Sequence, residues 1–226
     1  MMEAIVVDTQ NMEIVGSGGH SISQIYLFLG RCFSYPKNEF YEAMKDIRVR
    51  EEVLDLLEGL PFKVNFDDVL TGGIPSPSLS LEEFESEYVN TFDINPSRPF
   101  YESAYSREDM GARDIYEDLL RFYDYFDIKL SEKEKDYPDH LTVELEFMAF
   151  LSKKECDATG SGVSPDPYRL AQLDFLERHL SQWVNKLDEK IQKKARDPFY
   201  KGVSSFMRGL IKGHLLYLQT VLNRLN

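Results

Sequence analysis

The chain has 226 residues, 42% hydrophobic and 29% charged, with 26 Lys+Arg against 39 Asp+Glu for a formal net charge of −13. The apolar content excludes a disordered chain, and the longest unbroken apolar run in the helical part, Ile25 to Leu29, falls far short of the roughly 20 residues that span a bilayer. So acidic a chain repels phosphate backbones, which argues against nucleic acid as a partner.

The first twenty residues stand apart from the rest. Ala4 to Val7 and Met12 to Val15 are short, strand-like apolar runs, and Gly16-Ser17-Gly18-Gly19 follows them. A dinucleotide-binding fingerprint would need a third glycine where Ser21 stands and a repeating strand–helix pattern downstream; both are missing. Residues 1–20 therefore read as an N-terminal extension, either a small hairpin or a loose tail. They show no basic region followed by an apolar run and a cleavage site, so the expected location is the cytoplasm.

From residue 21 to 226 the apolar spacing is helical, and a single all-α, bundle-like domain is expected. The first helix spans about Ser21 to Ser34 and is ended by Tyr35-Pro36, because the residue before a proline is pushed out of the α region. A second covers Asn38 to Leu57. After the Gly/Pro/Ser stretch Thr71 to Ser78, a third covers Leu79 to Phe92, with Ser80 and Glu83 forming a capping box. Further helices are expected at Arg113 to Phe126, Leu141 to Lys154, Pro167 to Lys194 and Pro198 to Asn223. Residues 186–226 hold nine basic against three acidic side chains, so the charge is strongly uneven. That pattern fits a solvated helix face or an acidic remainder that attracts a basic partner.

No catalytic signature appears: there is no nucleophile elbow, phosphate loop or zinc-gripping histidine pair. Cys32 and Cys156 lie far apart and read as buried thiols rather than a disulfide or a metal cage. His179 and His214 fall in long amphipathic segments and read as packed or surface residues. His140 opens an apolar helix four residues before Glu144, with Pro138 expected in its first turn and Asp136 or Asp139 as the acceptor for free backbone donors. The enzymatic alternative is an all-α metal-dependent hydrolase or nucleotide-binding protein using Asp139, His140 and Glu144. Aromatics crowd between Phe84 and Phe126, and Phe100, Tyr101 and Tyr105 sit in a Pro-rich connection, where tyrosines line recognition grooves.

Three segments carry a resemblance: Tyr88-Val-Asn-Thr-Phe92, Pro99-Phe-Tyr-Glu-Ser-Ala-Tyr105, and Pro138-Asp-His-Leu-Thr-Val-Glu-Leu-Glu-Phe-Met148. With Phe175-Leu-Glu-Arg-His-Leu180, Trp183 and Asp197-Pro-Phe-Tyr200, they resemble the redox-enzyme maturation chaperones of the TorD/DmsD/NarJ type over roughly Ser21 to Leu225. The resemblance implies a cytoplasmic, all-helical chaperone that is not an enzyme and carries no cofactor. Such a chaperone binds the N-terminal twin-arginine leader, or its vestige, of a molybdopterin-containing oxidoreductase subunit until the cofactor is inserted. Because the family includes domain-swapped dimers, a monomer is the favoured state and a domain-swapped dimer the alternative. By position, the implied peptide site is Tyr88, Phe92, Tyr101, Ser103, Tyr105, Pro138, Asp139 and His140. Tyrosines stand here where some members carry tryptophans.

Overall fold

The structure, a computed structural model, describes residues 18–64, 75–94, 99–105, 111–130 and 137–223. Residues 1–17 of the expected N-terminal hairpin or tail lie outside them, and residues 18–20 belong to the first helix. Every regular element described is helical, and among the described residues the only β-type pairing is an isolated antiparallel bridge between Tyr101 and His140.

Helix α1 (Gly18–Cys32) begins three residues earlier than its pattern suggested and buries Ile22, Ile25, Tyr26 and Leu29, one stripe at helical spacing. The expected helix from Asn38 to Leu57 is two: α2 (Asn38–Lys45) and α3 (Ile47–Glu58). Asp46 divides them, because its carboxylate accepts the Arg48 amide at 2.9 Å and caps α3 while its own backbone is extended. Helix α4 (Leu81–Tyr88) carries the expected Ser80–Glu83 capping box and runs into a π turn at Val89–Asp93. Helix α5 is Ala112–Tyr125.

Helix α6 (Leu141–Gly160) runs six residues beyond its expected end and is the centre of the fold. It buries Leu141, Leu145, Phe147, Met148, Ala149 and Leu151, more than one face, and packs along α1 so closely that Ser23 Oγ donates to Ala149 O at 2.9 Å. The extension is carried by an exposed Lys153–Asp157 pair at 3.1 Å and closes where Gly162, at φ +70°, turns the chain back.

The expected helix from Pro167 to Lys194 is also two, α7 (Asp166–Arg178) and α8 (Leu180–Lys194), broken at His179. Helix α9 (Pro198–Asn223) packs against α7 and α8. Asp197, with no exposed surface, starts it: its Oδ1 accepts the Phe199 amide at 2.8 Å and its Oδ2 accepts the Ser78 and Leu79 amides at 2.8 and 3.0 Å. One carboxylate thereby fastens Ser78 and Leu79 to the start of the last helix.

Candidate peptide-binding site

Two short segments without long helical structure meet beside the start of α6. Pro99 to Tyr105 forms a turn ending in a single 3₁₀ turn, Glu102–Tyr105. Leu141 N–H donates to Phe100 O at 2.8 Å, and Asp139 O accepts the Glu102 amide at 3.0 Å while its Oδ2 accepts the Ser103 amide at 3.0 Å. Asp139 is fully buried.

Asp139 therefore does not start α6, contrary to expectation, and Asp136 lies outside the described residues. His140 is the capping residue: its Nδ1 accepts the Thr142 amide at 3.3 Å and lies 2.7 Å from Thr142 Oγ1. Pro138 sits in the turn before the helix rather than in its first turn, and its carbonyl accepts the Tyr123 hydroxyl at 2.9 Å. This bond ties the turn to α5.

The eight residues expected at the site form one contiguous set at two depths. Tyr88, Phe92, Tyr105 and Asp139 are buried; Tyr101, Ser103, Pro138 and His140 are half-buried. Tyr88 OH donates to Phe33 O at 3.0 Å, Phe92 stacks on Phe100 at 4.3 Å, and Phe100 meets the His140 ring edge-on at 5.9 Å. Tyr105 donates to Pro99 O at 2.9 Å and lies against Trp183 at 5.4 Å. The Lys190 ammonium sits 3.9 Å over the Tyr105 ring, and burial lowers its pKa. These deep rings are a platform. At the surface, Tyr101 lies 4.9 Å from His140 and 6.1 Å from Tyr137, which stacks on Tyr116 of α5 at 5.8 Å. Tyr137 is 50% exposed, so the row opens to solvent.

Beneath the platform lies a buried polar network that sequence reasoning missed. Glu102 Oε2 is 2.9 Å from His179 Nδ1, and His179 Nε2 is 3.2 Å from Asp118 Oδ2. The hydrogen bond is the one between Nδ1 and Glu102, while Nε2 and Asp118 Oδ2 face each other without hydrogen-bond geometry. Asp118 Oδ1 also accepts from the Arg178 guanidinium. This network accounts for the break at His179: a ring drawn between Glu102 and Asp118 leaves the backbone at φ −118°, ψ −95°, outside the helical region. His179 reads from sequence as an ordinary packed histidine because its partners lie 77 and 61 positions away.

Glu144 is also fully buried, and its Oε2 accepts the Trp183 indole N–H at 3.3 Å. Burial first, and the neighbouring Glu102 charge second, push its carboxyl well above the usual range. Asp139, His140 and Glu144 thus direct their side chains to Ser103, Thr142 and Trp183 respectively. Among the described residues no three His, Cys, Asp or Glu side chains are grouped to hold a metal ion. Cys32 is buried and Cys156 half-buried, and neither is in a disulfide. His214 is buried, as its segment suggested.

The geometry offers an aromatic, half-open surface on a base of buried rings. Residues 55–189 match the family described as Nitrate reductase delta subunit, which is more than half of the chain. The chain is a member of the TorD/DmsD/NarJ family of redox-enzyme maturation chaperones. It is 37% identical over 145 residues to the selenate reductase assembly chaperone protein of Thauera selenatis, covering 63% of this chain and 74% of that one. It is 34% identical over 192 residues to the chlorate reductase assembly chaperone protein of Ideonella dechloratans, covering 84% of this chain and 85% of that one. It is 28% identical to the perchlorate reductase assembly chaperone protein of Dechloromonas aromatica, with 85% and 88% covered. These relatives are named as chaperones, and the family assists enzyme maturation. No helix among the described residues is long and apolar enough to cross a membrane.

Proposed function

We propose that this chaperone acts in the cytoplasm by binding the N-terminal twin-arginine leader, or its vestige, of a molybdopterin-containing oxidoreductase subunit, holding that subunit back until its cofactor is inserted. The reading assigns residues 21–226 to one chaperone domain and the leader to the surface formed by Tyr101, Ser103, Pro138 and His140. The observation that carries it is the half-exposed row Tyr116–Tyr137–Tyr101–His140, anchored by the buried Asp139. A leader joins an arginine pair to a short apolar stretch, and tyrosines present an apolar ring with a wet hydroxyl to such a segment. Helix α5, which contributes Tyr116, also exposes Asp114, Glu117 and Asp124, and the chain as a whole is strongly acidic. The deeper residues Tyr88, Phe92, Tyr105 and Asp139 act by holding the row in place. The relatives' roles in the assembly of selenate, chlorate and perchlorate reductases support a reductase catalytic subunit as the partner.

Titration calorimetry with leader peptides tests this. Binding should weaken as salt is raised, because exposed charge attraction is screened over about 8 Å at physiological ionic strength, and an apolar remainder should persist. Absence of binding to every molybdoenzyme leader at low salt contradicts the proposal.

A further inference from the structure

Helices α5 and α7 touch through Phe122 and Phe175, whose rings meet edge-on at 5.2 Å, and diverge on the solvent side into a groove of about 710 Å³. Its apolar lining includes Phe122, Tyr125, Phe126 and Leu170. Tyr125 is 82% exposed and Leu170 55% exposed, an unusual expenditure of large apolar side chains on open surface. The polar end of the groove is formed by Asp118, Asp174 and Arg178, with Arg121 on the same wall.

Arg178 shows what chemistry this end accepts. Its guanidinium donates to Asp118 and, at 3.1 Å, to Asp174 Oδ2, while its centre lies 5.2 Å over the Phe122 ring. Two carboxylates at the edge and an aromatic face below constitute a guanidinium site. The occupant is only loosely held, since the Arg178 side chain is 46% exposed and sits on the last turn of α7. Asp118, by contrast, is 9% exposed, with the His179 ring 3.2 Å behind its Oδ2.

We propose that the α5–α7 groove is the subsite for the leader's apolar stretch and one of its arginines, with Arg178 as the internal guanidinium that the guest displaces. The inference rests on the leader-binding reading and extends it along α5, from the aromatic row at Tyr116 to the groove at Phe122 and Tyr125. Along the axis these positions are offset by roughly 9 to 14 Å at 1.5 Å per residue, and Phe122 and Tyr125 lie roughly 120–180° round the helix from Tyr116, so a leader that engages both passes round α5 over roughly 20 Å, about six extended residues. The exchange is like for like: the buried Asp118 keeps a cationic partner throughout, and the released Arg178 moves into water. An apolar peptide lacking arginine could fill the groove without opening the carboxylates, so the site discriminates by its polar end.

The test is fluorescence anisotropy of a labelled leader peptide at low salt, with melting temperature recorded for each variant. Arg178→Gln removes the internal competitor and should tighten binding at least about threefold, while leaving unchanged the binding of a leader whose two arginines are glutamine. Asp174→Asn, at a half-exposed carboxylate, should weaken binding of the arginine leader, and Leu170→Glu should weaken it about tenfold with the melting temperature preserved. If Arg178→Gln does not fold, the other two variants decide. Wild-type affinity in Asp174→Asn and Leu170→Glu overturns the inference while leaving the leader-binding reading intact. Absence of leader binding by the wild-type protein overturns both.

Discussion

Asp139 and Ser103 are joined across the site by one hydrogen bond, from the Ser103 amide to Asp139 Oδ2 at 3.0 Å, and the accepting carboxylate has no exposed surface. A buried aspartate that receives a backbone amide from a neighbouring turn holds that turn in place. Asp139→Ala strands the Ser103 N–H and should cost about 1–3 kcal/mol of stability, with leader affinity falling as the Tyr101 turn loosens. Asp139→Asn keeps an acceptor and should lose less than half of that. Urea unfolding of both variants checks the order; equal losses would count against the latch.

Glu144 makes stability depend on pH in a direction that can be worked out. Its carboxyl titrates higher in the folded chain than unfolded, so the folded state holds the proton more tightly and stability is lost as pH rises above the ordinary glutamate value of about 4.3. Glu144→Gln keeps an acceptor for Trp183 without the charge. The variant should therefore gain on the wild type in melting temperature between pH 5 and pH 8, and a constant difference across that range would refute the assignment.

His214 works in the opposite sense. Burial lowers its pKa to about 3, and its Nδ1 lies 3.0 Å from the Tyr26 hydroxyl. The folded chain excludes the proton, so stability is intact above the ordinary histidine value of about 6.5 and falls as pH drops through and below it, by up to about 1.4 kcal/mol per pH unit. Thermal melts from pH 7 down to pH 4 should show a shallower decline in His214→Gln than in the wild type. The same slope in both proteins contradicts this role.

Asp197 is the most demanding single polar residue of the fold. Its carboxylate accepts the amides of Ser78, Leu79 and Phe199 and has no exposed surface. Asp197→Ala leaves three donors without it, at about 1–3 kcal/mol for each one buried, and should unfold the protein or lower its stability by at least about 3 kcal/mol. Chemical denaturation measures it.

The helices were legible because apolar spacing and breakers are local. Ser80 and Glu83 announced a capping box, and the structure has it. Two long helices were not seen to be broken, for different reasons. Asp46 looks like any polar residue on a helix surface until its carboxylate is seen to cap α3, whereas the break at His179 depends on Glu102 and Asp118, far away in sequence. Proximity of Tyr101 and His140 was implied only by the family resemblance, since no local rule pairs a 3₁₀ turn with a helix start 40 residues on. Their depth was not legible either: an aspartate before a helix reads as a cap, and only tertiary packing shows that Asp139 faces Ser103 instead. The groove beside Phe122 left no sequence signal, because its two walls come from helices whose apolar faces also serve the core.

The central claim, that a leader docks on the exposed aromatic row, is tested most directly by the affinity of a leader peptide for a Tyr101→Ala/Tyr137→Ala variant. Tyr137 is half exposed and Tyr101 half-buried, so the fold should survive with a small change in melting temperature. Each aromatic contact of this kind contributes on the order of 1 kcal/mol or more, and the double variant should bind the leader at least about tenfold more weakly. Leader binding at wild-type affinity by a folded double variant would contradict the account.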